Sequence, residues 1–245
     1  MPDTILPSQL DAVPECPDCG KPEPFCICNS VDPVENRIDV LILQHPQEQD
    51  RLLGTARLTA RMLSKATLKI GLSWPSLSKA LGREVDPAHW AVLYLGSAKV
   101  ADLVTDRDVV AIDRKGELEP SQTAVLRGIE GVVVLDGTWS QAKALWWRNA
   151  WMLKCQRVIL GPQQLSLYGK LRREPRRDGL STIEATGLLL THLEKRPEIA
   201  DALFGAFDRM LTTYREAVKA HPKFLPKPRP KRDWRRGRKP VRRKS

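Results

Sequence analysis

"GVVVLDGTWSQAKALWWRNAW" occupies residues 131–151, and its first six letters decide what kind of fold the chain can build. Three valines and a leucine run without a polar break into Asp136, and Gly137 follows at once. An unbroken apolar run, unlike an alternating one, marks a strand covered on both faces, as strands inside a parallel sheet are. Past the glycine the pattern turns helical and carries Trp139, Trp146 and Trp147, with Trp151 just beyond. Two roles are open to Asp136. It can cap the helix by accepting backbone N–H bonds, a contribution of about 1 kcal/mol. It can also aim at a ligand, as a general base or as a clamp on a cation, and Gly137 would permit close backbone approach. The tryptophans after Trp139 read mostly as packing, because Trp is more often core than a stacking platform.

Working outward, similar runs stand at 37–45 (RIDVLILQH), 90–96 (WAVLYLG), 108–113 (DVVAID) and 156–161 (QRVILG). Helical patterns lie near 48–65, 119–128, 138–150, 182–195 and 198–219. This alternation predicts an α/β fold: an open, mostly parallel sheet with helices on both faces. Ligands of such sheets bind beyond the carboxyl ends of the strands, where Gly96, Asp136 and Gly161 fall. Cys155, just before the last run, reads as a plain core cysteine.

Composition narrows the class. Hydrophobic residues make up 42% of the 245, enough for a sizeable core and against general disorder. No apolar run approaches the roughly 20 residues that span a bilayer. The opening "MPDTILPSQLDAVPEC" lacks the basic start and apolar stretch of a secretory signal, so a cytoplasmic protein is expected. Forty Lys and Arg against 29 Asp and Glu leave a net charge of +11. Such an excess favours polyanionic partners, nucleic acid first and an anionic membrane surface second, with solubility as the bland account. Nothing in the sequence points to an obligate protein partner.

Three regions follow from these shifts in composition. Residues 1–36 are Pro-rich and hold four of the five cysteines. Residues 37–220 carry the strand and helix patterns. Residues 221–245 form a basic tail with Asp233 as its only acid and Trp234 as a lone aromatic; alternating prolines and like charges predict an extended chain there. In the first region, "CPDCGKPEPFCIC" sets Cys16, Cys19, Cys26 and Cys28 as two close pairs around a Gly/Pro loop. Four thiolates at such spacing suit a tetrahedral ion, Zn²⁺ above all, with an iron–sulfur cluster as the minor alternative. Independent thiols or a disulfide pair are the bland account, which clustering and a cytosolic setting disfavour.

Two further stretches border the sheet. In "LQHPQEQDR" (43–51), His45, Glu48 and Arg51 follow the first strand; Pro46 stops it, and Glu48 with Arg51 fits a surface ion pair at i, i+3. In "YGKLRREPRRDGLSTIEATG" (168–187), Lys170, Arg172, Arg173, Arg176 and Arg177 precede Ser181, which with Glu184 fits a capping box. Arginines in front of a helix N-terminus can grip phosphates, or they can line a solvated loop.

Taken in order, these stretches resemble the DTW-domain family, tRNA-uridine aminocarboxypropyltransferases related to the SPOUT methyltransferases. Asp136, Thr138 and Trp139 match Asp-x-Thr-Trp; His45, Pro46 and Glu48 match His-Pro-x-Glu. Arg172 to Ala185 matches the Arg-rich lead into Ser-Thr-x-Glu-Ala, and the four cysteines match the family's cluster. The likeness covers roughly 14–215 and leaves out the tail. It implies a SPOUT-like knotted domain that moves the 3-amino-3-carboxypropyl group of S-adenosylmethionine onto N3 of a tRNA uridine, releasing methylthioadenosine. It further implies Asp136 as the base and Trp139 as a stacking residue for uracil or adenine. Gly96, Ser97, Leu135, Gly137 and Thr138 would line the cofactor, as would Leu160, Gly161, Thr182 and Glu184, with Glu184 or Arg173 holding its amino acid end. His45, Glu48 and Arg51 would meet the substrate RNA, and so would Arg172, Arg173, Arg176 and Arg177. A SPOUT-type RNA methyltransferase and a non-catalytic zinc-containing RNA-binding protein are the competing classes.

Overall fold

The computed structural model describes residues 13–93, 108–161, 166–168 and 180–220. Within them lie β1 (Asp39–Gln44), β2 (Ala66–Ile70), β3 (Trp90–Leu93), β4 (Val109–Ile112), β5 (Gly131–Asp136) and β6 (Gln156–Leu160). The helices are α1 (Ala56–Met62), α2 (Leu77–Leu81), α3 (Gln122–Arg127), α4 (Trp139–Arg148), α5 (Thr182–Glu194) and α6 (Pro197–Ala220). The strands form one sheet of order β2-β1-β5-β3-β6-β4. All neighbouring pairs are parallel except β4 with β6, which is antiparallel.

The apolar runs are buried on both faces, and the period of two divides them. Val40, Ile42, Val132 and Val134 point into a core shared with α1, α5 and α6. Leu41, Leu43 and Val133 point the other way, against α2 and the 3-10 turn Ala150–Lys154. Helices therefore cover both faces, as the pattern predicts. Gly131 keeps the central strands close: a Cβ there would stand 2.4 Å from the ring of Trp90, itself 1% exposed.

Three elements depart from the pattern. β2 carries no apolar run, because it is an edge strand whose residues are all partly exposed. The helix expected over 48–65 is a 3-10 turn, Pro46–Glu48, followed by the shorter α1. Between them Gly54 folds back on Arg51, its N–H donating to that carbonyl at 2.9 Å. The five-residue α2 is too short to show a helical period.

One consequence of the order concerns β1 and β5. The chain leaves β1 toward β2 on one side, and leaves β5 toward β6 on the other. The carboxyl ends of these adjacent strands thus flank a topological switch point, the crevice where open α/β sheets hold ligands. Gln44 and Asp136 are paired there in register.

Candidate active site

Asp136 does not cap α4. Thr138 does so, its hydroxyl accepting from Gln141 N–H while the Gln141 side chain accepts from Thr138 N–H at 2.6 Å. Relieved of that task, the Asp136 carboxylate is held by two side chains from distant parts of the sequence. Oδ2 accepts from Gln44 Nε2 at 2.9 Å, and Oδ1 accepts a short hydrogen bond from the Thr182 hydroxyl. Gln44 ends β1 and Thr182 opens α5, so strand and helix termini converge on one carboxylate. The main chain closes the corner: His45 N–H donates to the Asp136 carbonyl at 3.0 Å. A Cβ at Gly137 would stand 2.9 Å from Gln141 Cβ and 3.5 Å from His45 Cβ, so only glycine lets the β1 and β5 exits approach this closely.

Gln44 is the site residue that sequence reasoning missed. It is 2% exposed, and its Oε1 has no hydrogen-bond partner among the described residues. A buried acceptor without a donor is costly, by roughly 1–3 kcal/mol, and is expected where a ligand completes the set. Its only signal in sequence is a polar residue ending an apolar run, the same signal that drew attention to Asp136.

Beside Gln44 opens a cavity of about 450 Å³ between the β1–α1 corner and the cysteine segment. Glu48, Arg51 and Arg57 line it from one side, Glu15 and Lys21 from the other. Arg51 Nε lies 2.5 Å from Glu48 Oε2, with side chains only 12% and 4% exposed. This pair is buried, where the spacing suggested a solvated surface pair. His45 caps the 3-10 turn, its Nδ1 accepting from Gln47 N–H at 3.3 Å. Burial, aided by Arg148, lowers its pKa.

Glu184 has a different environment. It is 4% exposed, and its carboxylate accepts from Ser181 N–H, the Ser181 and Ser166 hydroxyls and Leu167 N–H at 2.5–2.8 Å. The capping box expected from Ser181 and Glu184 is present. The carboxylate also ties residues 166 and 167 to the start of α5.

Around Asp136, the residues at the β5–α4 corner (Leu135, Gly137, Thr138, Trp139) and Thr182 come together. Leu160 and Gly161 end β6 at the same edge of the sheet, with β3 between them and β5. Gly96, Ser97, Lys170, Arg172, Arg173, Arg176, Arg177 and the tail 221–245 lie outside the described residues. Trp151 is buried and donates Nε1–H to the Trp74 carbonyl at 3.1 Å, and Trp146 packs against the same core. Trp147 corrects the packing expectation: it is 78% exposed. Cys155 is buried as expected, and burial pushes its thiol up to about 12.

The four cysteines form one centre, their Sγ atoms all within 4.8 Å of one another. Cys19 and Cys26 stand 3.8 Å apart, close to the ~3.8 Å edge of a tetrahedron with metal–sulfur bonds of about 2.3 Å. Gly20, at φ +65°, turns the first pair, and its N–H donates to the Cys16 carbonyl at 2.8 Å. Backbone N–H groups of Cys19 and Asp18 bring the Cys16 thiol down to about 7, while burial raises Cys26 to about 11 and Cys28 further still. Packed thiols of this kind resist joint ionisation without a cation, so the donor set fits a divalent soft ion. Lys21 sits beside them, buried, with its ammonium 2.8 Å from Met210 Sδ. Burial lowers its pKa to about 8 against the pull of Cys19, Cys28 and Cys26. Phe25 meets Tyr214 of α6 at 5.8 Å between ring centres, so the segment packs on the main body.

Comparison with known proteins identifies the family. A family model described as the DTW domain matches residues 13–215. The tRNA-uridine aminocarboxypropyltransferase 2 of Macaca fascicularis is 29% identical over 201 residues, covering 78% of this chain and 60% of that protein. The protein of the same name from Mus musculus is 29% identical over 197 residues, with the same two shares. That from Drosophila melanogaster is 29% identical over 195 residues, 77% of this chain and 70% of its own. The chain thus spans about 60% of the length of the first two relatives. No solved structure matches.

Proposed function

This chain belongs to the DTW-domain family, and from that premise we propose that it transfers the 3-amino-3-carboxypropyl group of S-adenosylmethionine to N3 of a uridine in tRNA. Methylthioadenosine is the leaving product. The observation that carries the reading is the Asp136 carboxylate, excused from capping and fixed by Gln44 and Thr182 at the switch point. Three relatives whose names specify tRNA-uridine aminocarboxypropyl transfer support the substrate class.

Uracil N3 bears a proton and attacks carbon poorly until that proton leaves. Asp136 takes the proton; a carboxylate offers about four lone-pair sites, so the two donors already present leave room for a third. General-base help of this kind contributes about 10²–10⁴-fold. The sulfonium of S-adenosylmethionine supplies an activated carbon: the N3–C bond forms as C–S breaks, and the electron pair leaves on sulfur. Transfer of the propyl chain and not the methyl is set by which carbon stands in line with N3. Thr182 and Gln44 act as positioning residues, since each holds one carboxylate oxygen.

The remaining roles belong to the same reading. Trp139 stacks on the uracil or the adenine. Glu48 and Arg51 border the cavity that receives substrate, His45 meets the RNA beside it, and Arg172, Arg173, Arg176 and Arg177 meet RNA phosphates. Gly96, Ser97 and Gly161 line the donor on a SPOUT-like knotted thread. Zn²⁺ at Cys16, Cys19, Cys26 and Cys28 is structural; one ion per chain by mass spectrometry, lost in Cys19→Ser, checks it. The protein works in the cytoplasm with tRNA as its partner, and no helix among the described residues is long and apolar enough to cross a membrane. Incubation of the purified chain with S-adenosylmethionine and tRNA tests the whole. Methylthioadenosine with an aminocarboxypropyl adduct on uridine is the expected result. S-adenosylhomocysteine with a methyl mark, or no product at all, contradicts it.

A further inference from the structure

The outer face of α4 has a property that the proposed reaction does not use. Of the tryptophans among the described residues, Trp90 and Trp151 are buried and Trp74, Trp139 and Trp146 are partly covered, whereas Trp147 is 78% exposed. A large aromatic left in water forfeits the burial that normally justifies it, and its ring face stays open to a stacking partner. The helical neighbours of Trp147 on the solvent side are Lys143 and Arg148, both exposed.

Position on the helix connects it to the site. Trp139, Lys143 and Trp147 follow one another at i, i+4 and i+8, a single stripe along α4. Its first member lies three residues from Asp136. At 1.5 Å per residue the stripe runs about 12 Å, roughly three stacked nucleotides at about 3.4 Å each. Lys143 Nζ stands 5.4 Å from the centre of the Trp139 ring, between the two aromatics in sequence. The charge of α4 is of one sign: its ten residues include Lys143 and Arg148 and no Asp or Glu. Alternating aromatic rings and cations without acids is the chemistry that binds single-stranded nucleic acid, bases stacking on the rings and phosphates meeting the cations. A lysine set between the two rings disfavours the dry core of a protein–protein contact, where charged residues are depleted.

We propose that this stripe is a docking surface for the single-stranded RNA that flanks the target uridine, with Trp147 stacking on a base outside the active site and Lys143 and Arg148 taking phosphates. The proposal rests on the reading of the chain as a tRNA-modifying enzyme and adds the track by which the RNA reaches Asp136. It also makes base choice at that position tolerant, because every base has a face to stack.

The test uses the full chain and fluorescently labelled tRNA, with the dissociation constant measured at several salt concentrations. Trp147→Ala weakens binding about 5- to 150-fold, the factor expected of one base stack, and Trp147→Phe regains most of it. Because Trp147→Ala removes no charge, its salt slope matches the parent, whereas Arg148→Gln lowers the slope by about one. An unchanged melting temperature in Trp147→Ala accompanies the expected result. Unchanged tRNA affinity in Trp147→Ala overturns the proposal. So does unchanged affinity with a change from dimer to monomer, which makes the face a contact between two copies of the chain. Product analysis of the parent separates the two claims: lost affinity in Trp147→Ala with no methylthioadenosine from the parent would sink the reaction and leave the RNA surface standing.

Discussion

Asp136 and Glu184 both stand at the entrance of a helix, and their carboxylates are put to opposite uses. Glu184 is nearly inaccessible, and its carboxylate is engaged by four protein donors. Asp136 is partly exposed and is held by two side chains, with no main-chain amide among its donors in the described residues. The helices explain the split. In α5 the capping box is Ser181 with Glu184, which consumes the acid. In α4 the box is Thr138 with Gln141, a neutral pair that satisfies the same backbone groups and releases the acid two residues upstream. An acidic residue at a helix start is spent on the fold where it takes part in the capping, and its carboxylate is left free for a ligand where another residue has taken over that task.

This contrast can be broken in several ways. The largest effect belongs to Asp136→Asn: methylthioadenosine release with saturating tRNA falls about 10²–10⁴-fold while the fold survives. Parent-like turnover would return Asp136 to the structural class. Glu184→Ala should show the reverse, a loss of about 2–4 kcal/mol in urea unfolding from stranded donors, with a smaller fall in turnover per folded molecule. A stable Glu184→Ala protein without activity would erase the distinction. Thr182→Val keeps the shape and removes one donor to Asp136, lowering kcat by about tenfold with KM unmoved. The smallest effect is expected at Gln141→Ala, about 1 kcal/mol of stability through the lost half of the α4 box. A fall in kcat alone in that variant would show that the cap also places the base.

Much of the architecture was legible because continuous apolar runs leave little choice: the runs ending at Gln44, Asp136 and Leu160 are parallel strands, and helices cover both faces. β2 was not legible, since an edge strand with partly exposed residues has no such run. The antiparallel pairing of β4 was equally hidden, because strand direction in a sheet is set by long-range packing that residue patterns do not encode. At the site, Asp136 and Thr182 could be singled out by motif, and the Ser181–Glu184 box by its spacing. Their contact could not, because residues 46 apart meet only once the sheet order is known. Gln44 escaped for the same reason. As a neutral amide it carries no charge signal, and its importance comes from its register opposite Asp136.

The central claim is that Asp136 removes the N3 proton of uracil, and the acceptor itself can test it. A fluorine at C5 of the target uridine withdraws electrons and makes N3–H more acidic, so less is asked of the base. In single turnover with tRNA carrying 5-fluorouridine, Asp136→Asn should recover a large part of its lost rate while the parent gains little. An equal gain in both proteins would contradict the account.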